Sequence, residues 1–372
     1  MRRKVVVLVF LCFGINAVYA RDRLVLRNSI VLERATFDDL YRWEEEDFGL
    51  ALNALLETCP VMEKLSLDKD IFPQVRTNQK ITKNDFYVVC KVADIIRSYN
   101  IKYKQTFFES FFIPYKVVKK KGERTLFTGY YIPMIRAKTK KDNVFKYPIY
   151  KRPEDLGTNK YYTREQINDG ILQNRNLEIF YTDDPVDLFF AHIQGSMNVF
   201  LVDESRIVAL GFDGKNNHKF SSIGKFMVEN NLISSSDLNS VQLKKELKKR
   251  SHLFCLDIFN VNASYIFFRL LEENGITGAF GMRLIPMRTI AVDRDTIPLG
   301  FPLWLNTYHT MRDGRREFNK LVIANDTGSA IKGSVRGDIF FGYGNFGEEQ
   351  AGYQYSEGEY YLLIPEKIVR KL

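Results

Sequence analysis

The sequence lacks several features that would fix its class at once. None of its apolar runs reaches the roughly 20 residues of a membrane-spanning helix, which excludes an integral membrane bundle. It has no Cys-x-x-Cys pair, and its four histidines show none of the spacings of metal ligands. We therefore expect no metal and no other cofactor. Because 45% of the 372 residues are hydrophobic and 14% are aromatic, the chain is too apolar to be disordered.

Two functional motifs occur without the rest of the site that each requires. Asp326-Thr327-Gly328-Ser329 matches the signature of aspartic proteases, in which two such aspartates share a proton. No second Asp-Thr/Ser-Gly occurs in the chain, so only an obligate dimer could build that site and the protease is a remote alternative. A Gly-x-Gly-x-x-Gly pattern spans residues 342–347, but the chain ends 25 residues later. That is too short for a dinucleotide-binding βαβ unit.

The N-terminus has the pattern of a secretory signal peptide. Three basic residues precede an apolar run at residues 5–15, and Val-Tyr-Ala ending at Ala20 supplies a small-residue cleavage site. We expect residues 1–20 to be removed, although an uncleaved anchor stays open. Cys12 follows Phe and Leu instead of small residues, so we expect no lipid attachment.

Basic residues outnumber acidic ones, 54 to 45, and three of the basic ones lie in the predicted signal, which leaves a net charge of +6. A modest positive charge favours acidic partners. For a secreted protein these are anionic envelope polymers in preference to nucleic acid. The basic runs at residues 119–121 and 244–250 are typical of solvated faces.

Three cysteines remain once the signal is removed. Cys59 and Cys90 each lie in a predicted helix and could pair in an oxidising compartment, which would leave Cys255 free. Three buried thiols are the other interpretation, and the sequence leaves both open.

The apolar pattern changes along the chain. The N-terminal third is predicted to be helical, with one helix across Phe37–Leu56 and another behind a cap at Asn84. From Lys119 onward short β-type runs follow, among them residues 189–195. Later helices are predicted at residues 222–229, 241–250 and 264–273.

The C-terminal block is predicted to hold five short strands separated by Gly and Pro turns, at residues 289–292, 302–307, 321–324, 338–341 and 360–364. Short strands with tight turns favour a small closed barrel, which leaves no exposed sheet edge.

This block also carries three aspartates beside glycines and aliphatic residues: Asp293, Asp326 and Asp338. Asp338 is followed by Ile-Phe-Phe, and a carboxyl group among apolar side chains loses hydration, which raises its pKa. A carboxyl group that stays protonated near neutral pH could protonate a glycosidic oxygen. The alternative is that all three are turn residues whose side chains cap backbone amides.

Eight motifs follow one another between about Leu40 and Ile364. They are Gly129-Tyr-Tyr-Ile-Pro133, Tyr147-Pro-Ile-Tyr150, His192-Ile-Gln-Gly-Ser196, Ser222-Ile-Gly224, Asn262-Ala-Ser-Tyr-Ile-Phe-Phe268, Ala291-Val-Asp-Arg294, the run at Asp326 and Arg336-Gly-Asp338. In this order the motifs resemble the lytic murein transglycosylase A family.

The resemblance implies an enzyme that cleaves the β-1,4 bond between N-acetylmuramic acid and N-acetylglucosamine in peptidoglycan. The product is a 1,6-anhydromuramic end, so the reaction is formally that of a lyase. It also implies a monomer in the periplasm of a Gram-negative bacterium, with or without association with the outer membrane. The main rival is a non-catalytic peptidoglycan-binding protein, and a hydrolase that leaves reducing ends is another.

The implied fold is α+β and mainly β. Residues 21–142 and 269–372 would form N-terminal helices and a discontinuous double-psi β-barrel. Residues 143–268 would form an inserted β-rich domain, with the substrate groove between the two domains.

The three barrel aspartates of the family fall on Asp293, Asp326 and Asp338, and its catalytic acid aligns with Asp338. Asp338 would protonate the leaving oxygen and then accept the proton of the muramoyl C6 hydroxyl, while the other two orient it and raise its pKa. Substrate-binding residues are predicted at Tyr130, Tyr131, Gln194, Gly195, Ser196, Thr327 and Lys332.

Overall fold

The computed structural model describes residues 22–235, 238–272 and 275–372. The predicted signal peptide lies outside these residues. No helix in the described part of the chain is both long and apolar enough to cross a membrane. The chain divides into two compact units. The first contains residues up to Thr128, Thr277–Phe340 and Gln354–Leu372, and the second contains Gly129–Ile276 and Phe341–Tyr353.

Sixteen strands and ten α-helices are assigned within the described residues. The strands are β1 Arg23–Val25, β2 Val31–Arg34, β3 Phe112–Val118, β4 Leu126–Ile132, β5 Met134–Lys138, β6 Tyr147–Tyr150, β7 Glu178–Thr182, β8 Met197–Leu201, β9 Arg206–Lys215, β10 Ile266–Leu270, β11 Thr289–Val292, β12 Pro302–Met311, β13 Gly314–Asp326, β14 Arg336–Tyr343, β15 Tyr355–Ser356 and β16 Glu359–Pro365. The helices are α1 Phe48–Lys64, α2 Lys83–Ile96, α3 Ile101–Phe111, α4 Arg164–Asn168, α5 Pro185–Gln194, α6 Ile223–Glu229, α7 Ser240–Lys248, α8 His252–Asn260, α9 Gly344–Gly352 and α10 Glu366–Val369.

The first unit is built on a sheet in the spatial order β1-β2-β3-β16-β12-β13-β11-β14-β4-β15. The six strands from β12 to β15 in that order form a ring. Its two ends meet where Thr307 Oγ1 hydrogen-bonds Ser356 Oγ at 2.8 Å and Gln354 Nε2 donates to the Tyr308 carbonyl at 2.9 Å. These bonds bring β15 back to β12, so the ring is a nearly closed six-stranded barrel.

The second unit is built on a sheet in the order β10-β9-β8-β5-β7-β6. β5 and β8 are parallel, and β9 pairs antiparallel with both β8 and β10. Helices α5 to α8 form a separate core, in which the rings of Phe189 and Phe259 stack with centroids 4.1 Å apart. The predicted α+β fold, with a barrel, N-terminal helices and an inserted β-rich domain, is confirmed.

A disulfide joins two of the N-terminal helices. Cys59 of α1 and Cys90 of α2 are bonded, with their Cα atoms 5.6 Å apart, whereas Cys255 is a buried free thiol. The structure therefore selects the paired interpretation of the two that the sequence left open.

A buried ion pair attaches the segment before α1 to the barrel. Arg288 Nη2 donates to Glu46 Oε1 at 2.7 Å, and both side chains are almost fully buried. Leu321 completes the contact, because its N–H donates to Glu46 Oε2 at 2.6 Å and its carbonyl accepts from Arg288 Nη1 at 2.9 Å. Each buried charge is thus both paired and hydrogen-bonded, which is the condition for burying it at tolerable cost.

Two predicted helix starts were misplaced. The helix expected across residues 37–56 begins only at Phe48, because the Asp47 carboxylate accepts hydrogen bonds from two amides of the first turn. The residues before it form short 3₁₀ turns. The cap expected at Asn84 is instead Thr82, which forms a capping box with the aspartate three residues later.

Two other segments have a different type of structure from the one predicted. Residues 189–195, predicted as a strand, belong to α5, which begins after the Asp184 cap, has Pro185 in its first turn and ends at Gly195 in the left-handed conformation. Residues 264–273, predicted as a helix, contain β10, which pairs with β9. Both runs are short and rich in aromatic residues, and periodicity does not separate helix from strand in such runs.

The predicted domain bounds at residues 143 and 268 stay a prediction. The compact units are divided at residues 128 and 276. The earlier start of the second unit follows from β5, which pairs with β7 and β8 of the same sheet.

We expect the disulfide to contribute strongly to the stability of the first unit. It closes a loop with a sequence separation of 31 residues, and the chain-entropy model assigns about 3–4 kcal/mol to a loop of that size. The Cys59→Ala/Cys90→Ala variant should therefore have a clearly lower Tm in a calorimetric scan. Dithiothreitol should lower the Tm of the wild type but not that of the variant, and equal Tm values in the oxidised state would contradict the prediction.

Candidate active site

Strand β11 lies within the barrel wall between β13 and β14, and all four of its residues are buried. Its Ala291 is in register with Asp326 of β13 on one side and with Asp338 of β14 on the other. Residues in register on neighbouring strands point to the same face of a sheet. Asp338 therefore shares a face with Ala291. On the β13 side an irregularity between Ile290 and Ala291 shifts the register by one residue and brings Asp326 level with Ala291. The Cα atoms of the two aspartates are thus about 9–10 Å apart, or two strand spacings.

Asp338 is partly buried and has one direct side-chain donor. The Thr128 hydroxyl, on β4, donates to Asp338 Oδ1 at 2.5 Å. Arg336 Nη2 in turn donates to Thr128 Oγ1 at 2.8 Å. Because a guanidinium group can only donate, the single hydroxyl proton of Thr128 is left for Asp338.

Burial raises the pKa of Asp338, against the opposing effects of the Thr128 hydrogen bond and the Arg336 charge. The family resemblance predicts that Asp326 and Asp293 also raise the pKa of Asp338. In the structure the cause is desolvation of the carboxyl group. The direction is the one a general acid needs, because it favours the protonated form.

Asp293 lies two residues beyond Ala291 and is buried, with 7% of its surface exposed. Its carboxylate accepts hydrogen bonds from Lys332 Nζ and the Gly333 N–H, both at 3.0 Å. Although burial alone would raise the pKa of Asp293, these hydrogen bonds lower it. Asp293 is therefore a stable anion that holds the loop before β14.

Asp326 ends β13 and accepts two backbone hydrogen bonds. Its Oδ1 atom accepts from the Ala279 N–H at 3.0 Å and from the Thr327 N–H at 2.8 Å. It therefore serves as an amide cap, and it lies level with Ala291, the residue that also pairs with Asp338.

The first unit also contains two predicted substrate-binding residues, Lys332 and Thr327. Lys332 is exposed, but its ammonium group already contacts Asp293 and Asp295, each at 3.0 Å. Hydrogen bonds to Asp295 and Asp293 raise the pKa of Lys332. Thr327 is partly exposed next to Asp326.

The predicted substrate-binding residues of the second unit lie around the end of α5. Gln194 Oε1 accepts from the Tyr131 N–H at 3.1 Å, and Gly195 ends the helix with a φ of +81°. Ser196 is partly exposed. Tyr130 and Tyr131 expose only 9% and 2% of their surface, which does not favour the predicted stacking of sugar rings on them.

Sequence reasoning missed Thr128 and Arg336 as partners of Asp338. Arg336 had a usable signal, because residues two apart on a strand share a face and Arg336 and Asp338 are both on β14. Thr128 had none, since it lies 210 residues away in the chain.

Comparison with family models divides the chain in a similar way. Residues 126–269 match a model described as the MltA specific insert domain, and residues 288–364 match a model described as the 3D domain. The second match contains β11 to β14 and all three aspartates.

Relatives of known name point the same way. Membrane-bound lytic murein transglycosylase A of Vibrio cholerae is 31% identical over 237 residues, which span 63% of this chain and 63% of that protein. A crystal structure of a membrane-bound lytic murein transglycosylase from Agrobacterium tumefaciens superposes with a TM-score of 0.75 at 27% identity. That superposition covers 90% of this chain and 97% of the other. Escherichia coli MltA with bound chitohexaose, 22% identical with a TM-score of 0.69 over 92% of this chain and 94% of that one, shares the fold.

The fold and the matched domains define the class: a chain in which a 3D-domain barrel that carries three aspartates accompanies an MltA-specific insert. The chain belongs to the lytic murein transglycosylase A family.

The Thr128 hydrogen bond gives a direct test of how the pKa of Asp338 is set. Thr128→Val keeps the shape of the side chain but removes the donor that stabilises the charged carboxylate, so the pKa of Asp338 should rise further. The measurement is an NMR titration that follows the side-chain carboxyl carbon of Asp338. Thr106→Val, on α3, is the control and should leave the titration unchanged. An unchanged or lower pKa in Thr128→Val would contradict the hydrogen-bond assignment.

Proposed function

We propose that this protein is a peptidoglycan lytic transglycosylase. It cleaves the β-1,4 bond between N-acetylmuramic acid and N-acetylglucosamine and leaves a 1,6-anhydromuramic end. The observation that carries the proposal is Asp338, a partly exposed carboxyl group whose pKa is raised by burial, on the barrel of a member of this family. The names of the relatives, membrane-bound lytic murein transglycosylase A, support the same activity on murein, and we assign the protein to the periplasm.

In the first step Asp338 acts as the general acid. Its Oδ1 atom accepts a hydrogen bond from the Thr128 hydroxyl group, so in the neutral acid the transferable proton is on Oδ2. That proton passes to the glycosidic oxygen while the bond from this oxygen to C1 of the muramoyl residue breaks. The N-acetylglucosamine portion leaves as an alcohol.

In the second step the same group acts as the general base. The C6 hydroxyl of the muramoyl residue attacks C1 and its proton returns to Asp338, so the acid is regenerated and no water is consumed. The attack is intramolecular, and such reactions gain on the order of 7–11 kcal/mol from positioning. A second carboxylate to activate water, as in ordinary glycosidases, is not required.

The other residues have supporting roles in this proposal. Asp293 and Asp326 fix the loops on either side of Asp338 as bound anion and amide cap. Substrate contacts are assigned to Tyr130, Tyr131, Gln194, Gly195, Ser196, Thr327 and Lys332. Of these, the partly exposed Ser196 and Thr327 have the most accessible polar side chains, whereas Lys332 would have to leave its two carboxylates to bind a substrate anion.

Replacing the proposed acid gives the most direct test. Asp338→Asn keeps the size of the side chain but has no transferable proton, so the release of anhydromuropeptides from purified sacculi should fall by about 10²–10⁴-fold. Mass spectrometry identifies the product, because a hydrolase would release reducing muramic acid, which takes up ¹⁸O from labelled water.

A matched control is Asp313→Asn, an exposed aspartate in the turn between β12 and β13 whose one ion pair among the described residues is with Arg316. Its activity should stay close to that of the wild type. Wild-type activity in Asp338→Asn would show that another group is the acid. Binding of sacculi by the wild type without any anhydro product would favour a non-catalytic binding protein.

A further inference from the structure

The second unit contains a cavity of about 230 Å³ that the proposed function does not use. Aromatic and aliphatic side chains, among them Phe189 and Tyr265, form much of its wall. Its charged lining residues are all basic: Lys141, Lys146 and Arg164. No described residue of the lining is acidic.

Arg164 is a buried cation without an acidic partner. Only 4% of its surface is exposed, and its guanidinium group lies against the rings of Phe189 and Tyr265, 4.8 and 5.0 Å from their centroids. It donates to the carbonyls of Asn262 and Ser264, and no ion pair joins it to any described residue. Burial lowers the pKa of Arg164 to about 10.

Arg288, in the first unit, shows how this chain otherwise buries an arginine. It is as little exposed as Arg164, but Glu46 neutralises it at 2.7 Å. A buried charge without a partner carries a large desolvation penalty. The contrast indicates that the counter-charge of Arg164 comes from outside the described chain.

His192 lines the same cavity and is the neighbour of Arg164. Arg164 Nη1 lies 3.0 Å from His192 Nδ1, and because a guanidinium group can only donate, Nδ1 must be the acceptor. The imidazole is kept neutral, since burial and the nearby Arg164 charge hold the pKa of His192 well below its ordinary value. Its proton is therefore on Nε2, a buried donor with no hydrogen-bond acceptor among the described residues.

Arg164, which lines the cavity, has unused donors. Arg164 has five N–H groups, of which three are used by His192, Asn262 and Ser264, and His192 contributes its Nε2–H. Buried donors are nearly always paired, so an unpaired set calls for an acceptor. Lys141 and Lys146 are exposed lining residues that form no ion pair with any described residue, and their charge would attract an anion.

We propose that this cavity binds a carboxylate, held by the Arg164 guanidinium group, with the rest of the ligand between the aromatic side chains. A carboxylate matches a planar guanidinium group in shape and charge. The volume corresponds to roughly eight water molecules, so the part of the ligand inside is small. The proposal does not rest on the lytic activity.

The primary experiment compares benzoate with benzamide, a neutral ligand of the same shape, by calorimetric titration of the wild-type protein. Benzoate should bind at least about tenfold more tightly, because benzamide carries no negative charge and has one acceptor oxygen where the carboxylate has two. The ¹⁵N resonance of His192 Nε2 should shift on addition of benzoate. Equal affinity for the two ligands, or no binding and no shift, would overturn the proposal.

Two sources of carboxylate are separated by a second pair of ligands. D-alanyl-D-alanine, which resembles the end of a peptidoglycan stem peptide, is compared with its C-terminal amide. Binding of the free peptide but not of the amide identifies a peptide carboxylate as the ligand. Binding of benzoate without binding of the peptide identifies a free small acid.

Variants test the site without disturbing its buried end. Lys146→Gln removes an exposed lining cation and should weaken benzoate binding several-fold, whereas Lys160→Gln removes an exposed lysine outside the cavity and should leave it unchanged. Arg164 ties down two carbonyls and its replacement endangers folding, so the ligand pair on the wild type is the deciding test. Asp338→Asn should bind benzoate like the wild type, which separates this proposal from the proposed lytic activity.

Discussion

The candidate site depends on the register of one buried strand. In β11 the side chain of Ile290 is paired with Ile339 and Ala324, all fully buried, while Ala291 is paired with Asp338 and Asp326. Because alternate residues face opposite sides of a sheet, a slip by one residue against β14 would exchange Ile339 and Asp338. On the β13 side a register irregularity between the two pairs sets the position of Asp326. The same apolar packing that closes the barrel therefore fixes which face carries Asp338, and the site needs no separate scaffold.

Two aspartates of this barrel show how the environment sets the charge of one residue type. The pKa of Asp293 is lowered, because Lys332 and the Gly333 amide donate directly to it. Asp338 has a single hydroxyl donor and an arginine that acts through Thr128, and this support does not offset its desolvation. Fewer direct donors and stronger desolvation of the carboxyl group together separate Asp338, with its raised pKa, from the structural anion Asp293.

The sequence was informative where local pattern determines structure. The barrel strands are short apolar runs between Gly and Pro turns. The strand predicted at residues 289–292 has the predicted bounds in the structure. Residues 189–195 were predicted as a strand because the aromatic run of α5 resembles one, although the Asp-Pro cap and Gly195 are signals of a helix. Thr128 was beyond reach, since only the pairing of distant strands brings its hydroxyl to Asp338.

The charge of Arg164 is harder to explain by structure than by binding. If its task were only to hold the carbonyls of Asn262 and Ser264, a neutral amide side chain could donate to them without the desolvation penalty of a cation. Contact with Phe189 and Tyr265 offsets part of that penalty, because a cation–π contact at a desolvated site contributes about 2 kcal/mol or more. The desolvation penalty of an unpaired buried charge is larger. His192, held neutral with its Nε2–H unpaired, provides no counter-charge. A fixed positive charge without a counter-charge in the wall of a cavity is suited to recognition of a carboxylate, and it is not needed to fold a sheet.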